Sequence, residues 1–466
     1  MKTRRRGTGA PGRQVRGGVC RFLCVSIAAA AMLVLPDRAA ADAETAERLT
    51  GDWGGARTRI EQSGIAFNLT YTFEVLANLR GGIRRGIVGN GLIQPQLDFD
   101  LEKLLGMSGA KFRAGAIVTH GPGLTAGYVG NFMPVSSIEA GPVARLFELW
   151  YEQAIPGEHA SFRVGLMTAD AEFATSDTAS TFMNNTFGWN TLFGLALPAG
   201  GPAYPIPAPG ARLRVKPAAD IYVQAAIFSG DPSGRDGSNP SPFPLPTGTV
   251  FSFSGGAFLL AEAGYTPNQG KGAGGLPGAF KLGAWYHTGR RFADQHFDAT
   301  GLSLADPASS GEPFNYRGNW AVYAVAEQML FRVPGTEDQG LSAFTRVTAA
   351  PSDRNLVQFY ADGGLVYTGL LPGRSEDKIG VSAAYARVSG RGRDLDRDTA
   401  FFTGGFYPIR SFDALIEATY KAKLRPWWTL QGDVQYVIRP SGGVLNDDGT
   451  LRRNAVVVGL RSAVNF

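Results

Sequence analysis

Seven charged residues and three tryptophans carry the chemistry that this 466-residue chain offers. Arg113, Arg145, Glu148, Glu152 and Arg163 sit in neighbouring segments where polar and apolar residues alternate, and Asp170 and Glu172 follow in a long connector. Guanidiniums donate hydrogen bonds and carboxylates accept them. A lining that mixes the two can therefore replace the water around a neutral, hydroxyl-rich solute such as a sugar. Trp150, Trp189 and Trp285 offer flat faces for the apolar side of a pyranose ring. The same charges can also pair with one another across a wall, and the two roles are compatible.

Catalytic and metal-binding patterns are missing from the sequence. His120, His159, His287 and His296 show no metal-ligand spacing, and no nucleophile elbow or phosphate-binding loop is present. Glycine patterns at 7–12 and 270–275 lack the strand–helix context that a dinucleotide site requires. Asp394, Asp396 and Asp398 match the start of a calcium loop, but Thr399 and Gly405 stand where glycine and glutamate are needed, so this segment reads as a solvated outer loop. No catalytic residue, metal or cofactor is expected. An enzyme on the same scaffold would need a base–nucleophile pair, for which His287 on an inward face is the candidate base.

Strands must position these residues. The stretch 49–79 begins as a short amphipathic helix that stops at Gly64. Ile65, Phe67, Leu69, Tyr71, Phe73 and Val75 then alternate with Ala66, Asn68, Thr70, Thr72 and Glu74. A period of two over this length marks a long strand with one oily and one wet face, as in the wall of a membrane barrel. The pattern recurs along the chain: Phe112, Ala114, Ala116 and Val118 against Lys111 and Arg113, or Ala211, Leu213 and Val215 against Arg212, Arg214 and Lys216. It ends on Val456, Val458, Leu460, Val464 and Phe466. About sixteen such strands can be traced, an even number suited to a closed barrel without free edges. The fold class predicted is all-β: a closed antiparallel transmembrane β-barrel of sixteen strands with a short N-terminal helix.

Composition agrees. Mean hydropathy is −0.07, and beyond residue 42 no apolar run approaches the ~20 residues of a spanning helix. Residues 1–41 read as a signal peptide: a basic start, an apolar core at 22–35 and an Ala39-Ala40-Ala41 exit. Eight basic residues and one acidic residue lie there, so the remainder carries 37 basic against 39 acidic groups and gives no argument for nucleic-acid binding. Both cysteines, Cys20 and Cys24, belong to this leader, which leaves the rest without disulfides or thiolates.

Connectors come in two lengths. Short ones such as 106–109 and 424–426 suit periplasmic turns. Long ones at 121–143, 168–208, 229–255, 289–316, 389–411 and 439–453 suit outer loops. The longest, 168–208, is expected to fold inward and narrow the pore.

At the level of motifs the chain resembles the carbohydrate-selective porins of the OprB type. The resemblance runs through LTGDWGGAR at 49–57, RLFELWYEQ at 145–153 and FRVG at 162–165. Asp170, Glu172-Phe173, FMNN at 182–185, GAWYH at 283–287 and PWWTLQ at 426–431 continue it. It implies a sixteen-stranded outer-membrane barrel that passes sugars by diffusion. The organisation expected is a signal peptide at 1–41, a lead-in with the short helix at 42–64, and the barrel at 65–466 in the outer membrane of a Gram-negative cell. Small neutral sugars would be the solutes. Outer-membrane lipid and lipopolysaccharide would surround the wall, and a homotrimer is allowed. A general or anion-leaning diffusion porin is the alternative, favoured by the inward arginines, with a barrel enzyme behind it. Lining is expected from Arg113, Arg145, Glu148, Trp150, Glu152, Arg163, Asp170, Glu172, Trp189 and Trp285.

Overall fold

The computed structural model describes residues 47–155, 157, 159–233, 247–270 and 272–466. The expected signal peptide and its two cysteines lie outside the described residues.

Strands β1 (Ile65–Gly82), β2 (Gly86–Asp100), β3 (Ala110–His120), β4 (Val143–Ala154), β5 (Ala160–Met167), β6 (Ala208–Ala218), β7 (Ile221–Ser229), β8 (Ala257–Tyr265) and β9 (Gly278–His287) make one half of a barrel. After an outer hairpin of β10 (Phe292–Asp298) and β11 (Pro313–Tyr316) come β12 (Asn319–Arg332), β13 (Gly340–Ala349), β14 (Val357–Thr368), β15 (Lys378–Val388), β16 (Phe412–Arg425), β17 (Trp428–Ile438) and β18 (Arg453–Asn465). Among the described residues sixteen of these strands close into one antiparallel barrel, each pairing with its neighbours. The seam joins β1 to β18, from Thr70 opposite Asn465 to Gly82 opposite Arg453. Closure leaves no backbone edge for the membrane to desolvate.

The alternation read from the sequence is the alternation of the wall. In β7 Ile221, Val223 and Ile227 are exposed, whereas Tyr222, Gln224, Ala226 and Phe228 are buried. In β15 Ile379, Val381 and Tyr385 are exposed, with Gly380, Ser382 and Ala384 turned inward. An apolar outer face and a polar or small-residue inner face are what lipid outside and a lumen inside require.

Among the described residues four α-helices punctuate the strands: α1 (Ala56–Gln62), α2 (Leu101–Leu105), α3 (Thr191–Ala196) and α4 (Gly390–Thr403). α1 clamps the barrel seam. Its Arg57 donates to the carbonyl of the terminal Phe466 at 2.8 Å, and the Leu49 N–H bonds the Asn465 carbonyl at 2.8 Å. Leu101 opens α2, because the Asp100 carboxylate caps the Glu102 and Lys103 N–H groups.

Three expected loops carry more structure than their composition suggested. The segment 289–316 holds the β10–β11 hairpin. The segment 389–411, expected to be a solvated loop, holds α4, capped by Ser389 on the Gly392 N–H. Helical spacing sends its three aspartates to separate partners: Asp394 to Arg397, Asp396 to Arg410 at 2.7 Å and Asp398 to His296 at 2.6 Å. They do not converge on an ion. Finally, 121–143 turns inward. The Phe132 N–H bonds the Asp413 carboxylate, and Gln435 donates to the Val135 carbonyl.

Candidate functional site

Strand register assembles the charged wall in rows. In the row nearest the short turns, Asp100, Lys111, Glu152, Arg163 and Arg212 stand opposite one another in turn across β2 to β6. The next row reads Asp98, Arg113, Trp150, Gly165, Gly210, and the third begins Gln96, Gly115, Glu148. Five of the expected lining residues therefore meet: Arg113, Glu148, Trp150, Glu152 and Arg163. Gly165 opposes Trp150 with φ of +142°, and a Cβ there would sit 2.6 Å from the Trp150 Cα. A glycine at this point gives the indole its place.

The ion pairs follow the rows. Arg113 donates to Asp98 at 2.6 Å and lies 3.7 Å from Glu148. Its guanidinium is 5.0 Å from the Trp150 ring centre, and that of Arg163 is 4.0 Å from it. The indole N–H of Trp150 donates to Glu148 at 3.3 Å. Arg163 and Arg212 face each other on adjacent strands, a repulsive arrangement without a counter-charge. Glu152 lies 2.6 Å from Arg163 and 2.7 Å from Arg212. Glu172 closes the opposite side, at 2.5 Å from Arg163 and 2.6 Å from Arg212. Two cations and two anions thus form a closed ring, and one anion comes from the long loop rather than the wall.

Arg145 reaches the inner face by a different route. Strict alternation from Trp150 would turn it outward. A bulge at Phe147, where Gly115 opposes Glu148 but Ala116 opposes Leu146, restores it to the inner face opposite Ile117. Bulges re-aim side chains in this way. Arg145 is buried and apart from the ring.

Residues 168–208 lie across the lumen, held by side chains of the wall. Glu262 accepts from the Ala174 N–H at 2.8 Å. Glu327 accepts from Ser176 Oγ, the Thr178 N–H and Thr178 Oγ1. Glu417 accepts from the Met183 and Asn184 N–H groups at 2.5 and 3.1 Å. Arg346, paired with Asp362, donates to the carbonyls of Thr186 and Gly188. Asn319 and Gln431 donate to the Ala196 and Thr181 carbonyls. These partners come from β8, β12, β13, β16 and β17, so the segment is pinned around much of the barrel. Buried backbone groups of a loop need such partners, and here the wall supplies them. The second inward segment locks onto the first, through Ser137 N–H to the Met183 carbonyl and Asn185 N–H to the Pro134 carbonyl.

Asp170 lies within this loop and accepts from the Tyr204 N–H at 2.9 Å, which fixes the loop's return rather than joining the ring. Trp189 and Trp285 are packed away from the ring, 6% and 2% exposed, both against the edge of Phe193. His287 is turned inward but engaged: its Nε2 is 2.7 Å from the Gly230 carbonyl and its Nδ1 accepts from the Gly289 N–H. Neither ring nitrogen is left to act as a base in this arrangement.

Several residues of the site were not singled out from sequence. Asp98 and Arg212 complete the ion pairs. Glu262, Glu327, Arg346 and Glu417 hold the loop. Alternation already places Arg212, Glu262 and Glu417 on inner faces, so a signal existed. What it lacked was the partner.

A cavity of about 680 Å³ opens beside the ring on the side of the short turns. Glu152, Arg163, Glu172, Arg212, Tyr222 and Lys281 are among its lining residues. On the opposite side a cavity of about 920 Å³ lies at the mouth, between residues 195–198 and the outer connectors. Among the described residues no helix is long and apolar enough to cross a membrane; the strands do the crossing.

A family model described as "Carbohydrate-selective porin, OprB family" matches residues 85–466. The chain is 29% identical over 442 residues to Porin B of Pseudomonas aeruginosa, covering 90% of this chain and 91% of that protein. It is similar to the high-pH structure of Pseudomonas putida OprB, with a TM-score of 0.80 at 25% identity, over 91% of this chain and 99% of that one. The low-pH structure of the same protein matches with a TM-score of 0.56 at 18% identity, over 91% and 99%, and shares the fold.

Proposed function

Since the chain belongs to the OprB family of carbohydrate-selective porins, we propose that the ring of Glu152, Arg163, Glu172 and Arg212 is where it handles sugar. It is a channel of the outer membrane through which carbohydrates diffuse passively. In this reading residues 168–208 are the constriction of the barrel that begins at residue 65. Residues 42–64 lead into it and residues 1–41 serve as its export signal. One observation carries the assignment: the loop contributes the Glu172 carboxylate that ties Arg163 and Arg212 together.

The ring is saturated with charge-assisted hydrogen bonds yet neutral in sum. A hydroxyl-rich solute that inserts between its members can accept from the guanidiniums and donate to the carboxylates, so the charges lose little when they part. Trp150, one row on from the ring and only 5% exposed, lies under the guanidiniums of Arg113 and Arg163 and backs them beside it. Arg113, Glu148 and Arg145 extend the lining outward from the ring. Small neutral sugars are the solutes this suits. Outer-membrane lipid and lipopolysaccharide surround the wall. A homotrimer is compatible with it, because each copy has a complete lumen of its own.

The test is a planar-bilayer recording of the purified chain. Maltose or glucose added to the bath should reduce the ion current in a saturable manner. Current that ignores both sugars while anions dominate the conductance would replace this reading with that of a general, anion-leaning porin. Inward arginines favour that second reading; the carboxylate matched to each of Arg113, Arg163 and Arg212 opposes it.

A further inference from the structure

Away from the lumen, the lipid-facing wall carries a second site at its outer end. A groove of about 930 Å³ lies between residues 406–409 and the outer faces of β1, β17 and β18. Four arginines line it: Arg80, Arg439, Arg452 and Arg453. No carboxylate is among its lining residues, and none of the four makes an ion pair among the described residues. In the ring Arg163 and Arg212 each meet two carboxylates, whereas Arg80, Arg439 and Arg453 meet none at ion-pair distance and Arg452 has only the more distant Asp447 and Asp413.

Register shows which way the groove faces. Val456 stands opposite Tyr436 on one side and Arg80 on the other. Tyr436 and Val456 belong to the apolar outer face. Arg80 joins them because the β1–β18 ladder slips between Asn78 and Arg80, which turns Arg80 out of the lumen. Asn454 donates to the Tyr436 hydroxyl and accepts from the Arg439 N–H, both at 2.9 Å, so these strand ends are held in place. Arg439 lies 5.3 Å over the Phe412 ring, and Arg452 is fixed on the Gly130 carbonyl at 2.7 Å. Beside the arginines stand Phe406, 78% exposed, and the exposed Tyr407 and Ile409.

Guanidiniums beside an apolar shelf suit phosphate at the level of the headgroups, with acyl chains running down the wall. Guanidinium binds phosphate bidentately, and clusters of basic residues at a membrane surface recognise anionic lipid. We propose that this groove holds the phosphorylated headgroup of lipopolysaccharide from the outer leaflet, with Arg80, Arg439, Arg452 and Arg453 on the phosphates and Phe406 and Ile409 against the acyl chains. The proposal rests on the outer-membrane orientation given above, with long loops outside. It is independent of how sugars pass.

The test compares retention of lipid A by the purified full chain and by an Arg80→Glu/Arg453→Glu double variant, read by native mass spectrometry. Both side chains are at the surface, and an unchanged sugar-dependent current shows that the barrel is intact. Retention of diphosphoryl lipid A should fall at least about tenfold, the factor that ~1.4 kcal/mol represents. Phe406→Ala should lower it less. An Arg290→Glu/Arg291→Glu variant, charged alike but elsewhere on the outer side, should keep full retention. Equal retention by the Arg80/Arg453 variant would overturn the proposal, as would equal binding of dephosphorylated lipid A. Equal stabilisation by inorganic phosphate alone would overturn the lipid assignment. Cross-linking of an Arg453→Cys variant to a second copy would assign the groove to a subunit contact instead. Loss of sugar block with lipid retention unchanged would count against the sugar reading alone.

Discussion

Replacing Glu172 by glutamine tests the ring most directly. The side chain keeps its shape and one acceptor oxygen but loses its charge. The ring then holds two guanidiniums and one carboxylate, a net charge of +1 where the parent is neutral. An ion passing about 5 Å from that charge feels ~0.8 kcal/mol in a water-like dielectric. An anion gains this and a cation loses it, so the two separate by ~1.6 kcal/mol before screening. With a Debye length of ~10 Å at 0.1 M salt roughly 1 kcal/mol survives, close to a fivefold rise in the anion-to-cation permeability ratio. The assay is the reversal potential across a bilayer under a potassium chloride gradient. It should move toward the chloride potential, and the shift should shrink as salt rises. Glu312→Gln, in the exposed outer connector, serves as a control and should leave the potential unchanged. If Glu172→Gln also leaves it unchanged at low salt, with the barrel intact, the ring does not lie on the conduction path.

Four further outcomes follow from the same geometry. Glu417→Ala leaves the buried Met183 and Asn184 N–H groups without acceptors, at ~1–3 kcal/mol each; single-channel conductance should rise and become noisy as residues 183–184 leave the wall. Trp150→Ala removes the surface under Arg113 and Arg163, contacts worth ~0.5–2 kcal/mol, and should raise the maltose concentration for half-maximal current block severalfold while leaving open conductance within a factor of about two. Gly81→Val forces a side chain onto the Asn454 carbonyl at a backbone φ of +72°, so the yield of folded, heat-modifiable barrel should drop sharply. In the outer hairpin, hydrogen bonds from Thr300, Ser309 and Ser310 hold the Asp298 carboxyl well below the usual carboxylate range. Its contribution is therefore complete above the unfolded-state value of ~3.9 and lost only as pH falls through the lower folded value, so proteolysis of 298–310 should stay slow at pH 4 and become fast there in Asp298→Asn.

The wall was legible because its signal is local. Successive residues of a strand point to opposite sides, so oily and wet faces can be read from one segment at a time. Residues 65–75 and 456–466 announced a first and a last strand, and closure made them neighbours. The lead-in helix could be read the same way, from a short amphipathic run that stops at Gly64. Where a partner entered, reading became harder. Helix α4 escaped notice because Gly390, Gly392 and three aspartates look like a loop; its Ser389 cap, with Arg410 on Asp396 and His296 on Asp398, holds it.

The site divides along the same line. Residue type and parity were enough to put Arg113, Glu148, Trp150, Glu152 and Arg163 on an inner face. They could not show that Arg163 stands opposite Arg212, since register between two strands depends on pairing across the 168–208 loop. Nor could they show the bulge that turns Arg145 inward, or that Trp189 and Trp285 pack against Phe193. The inward course of 168–208 was expected from its length, but its route is set by Glu262, Glu327, Arg346 and Glu417, between 54 and 249 residues away from either end of the loop. Alternation along a strand is a property of neighbouring peptide units and is written in the order of residues. Which charges meet across a lumen depends on closing the barrel, and no local stretch contains that.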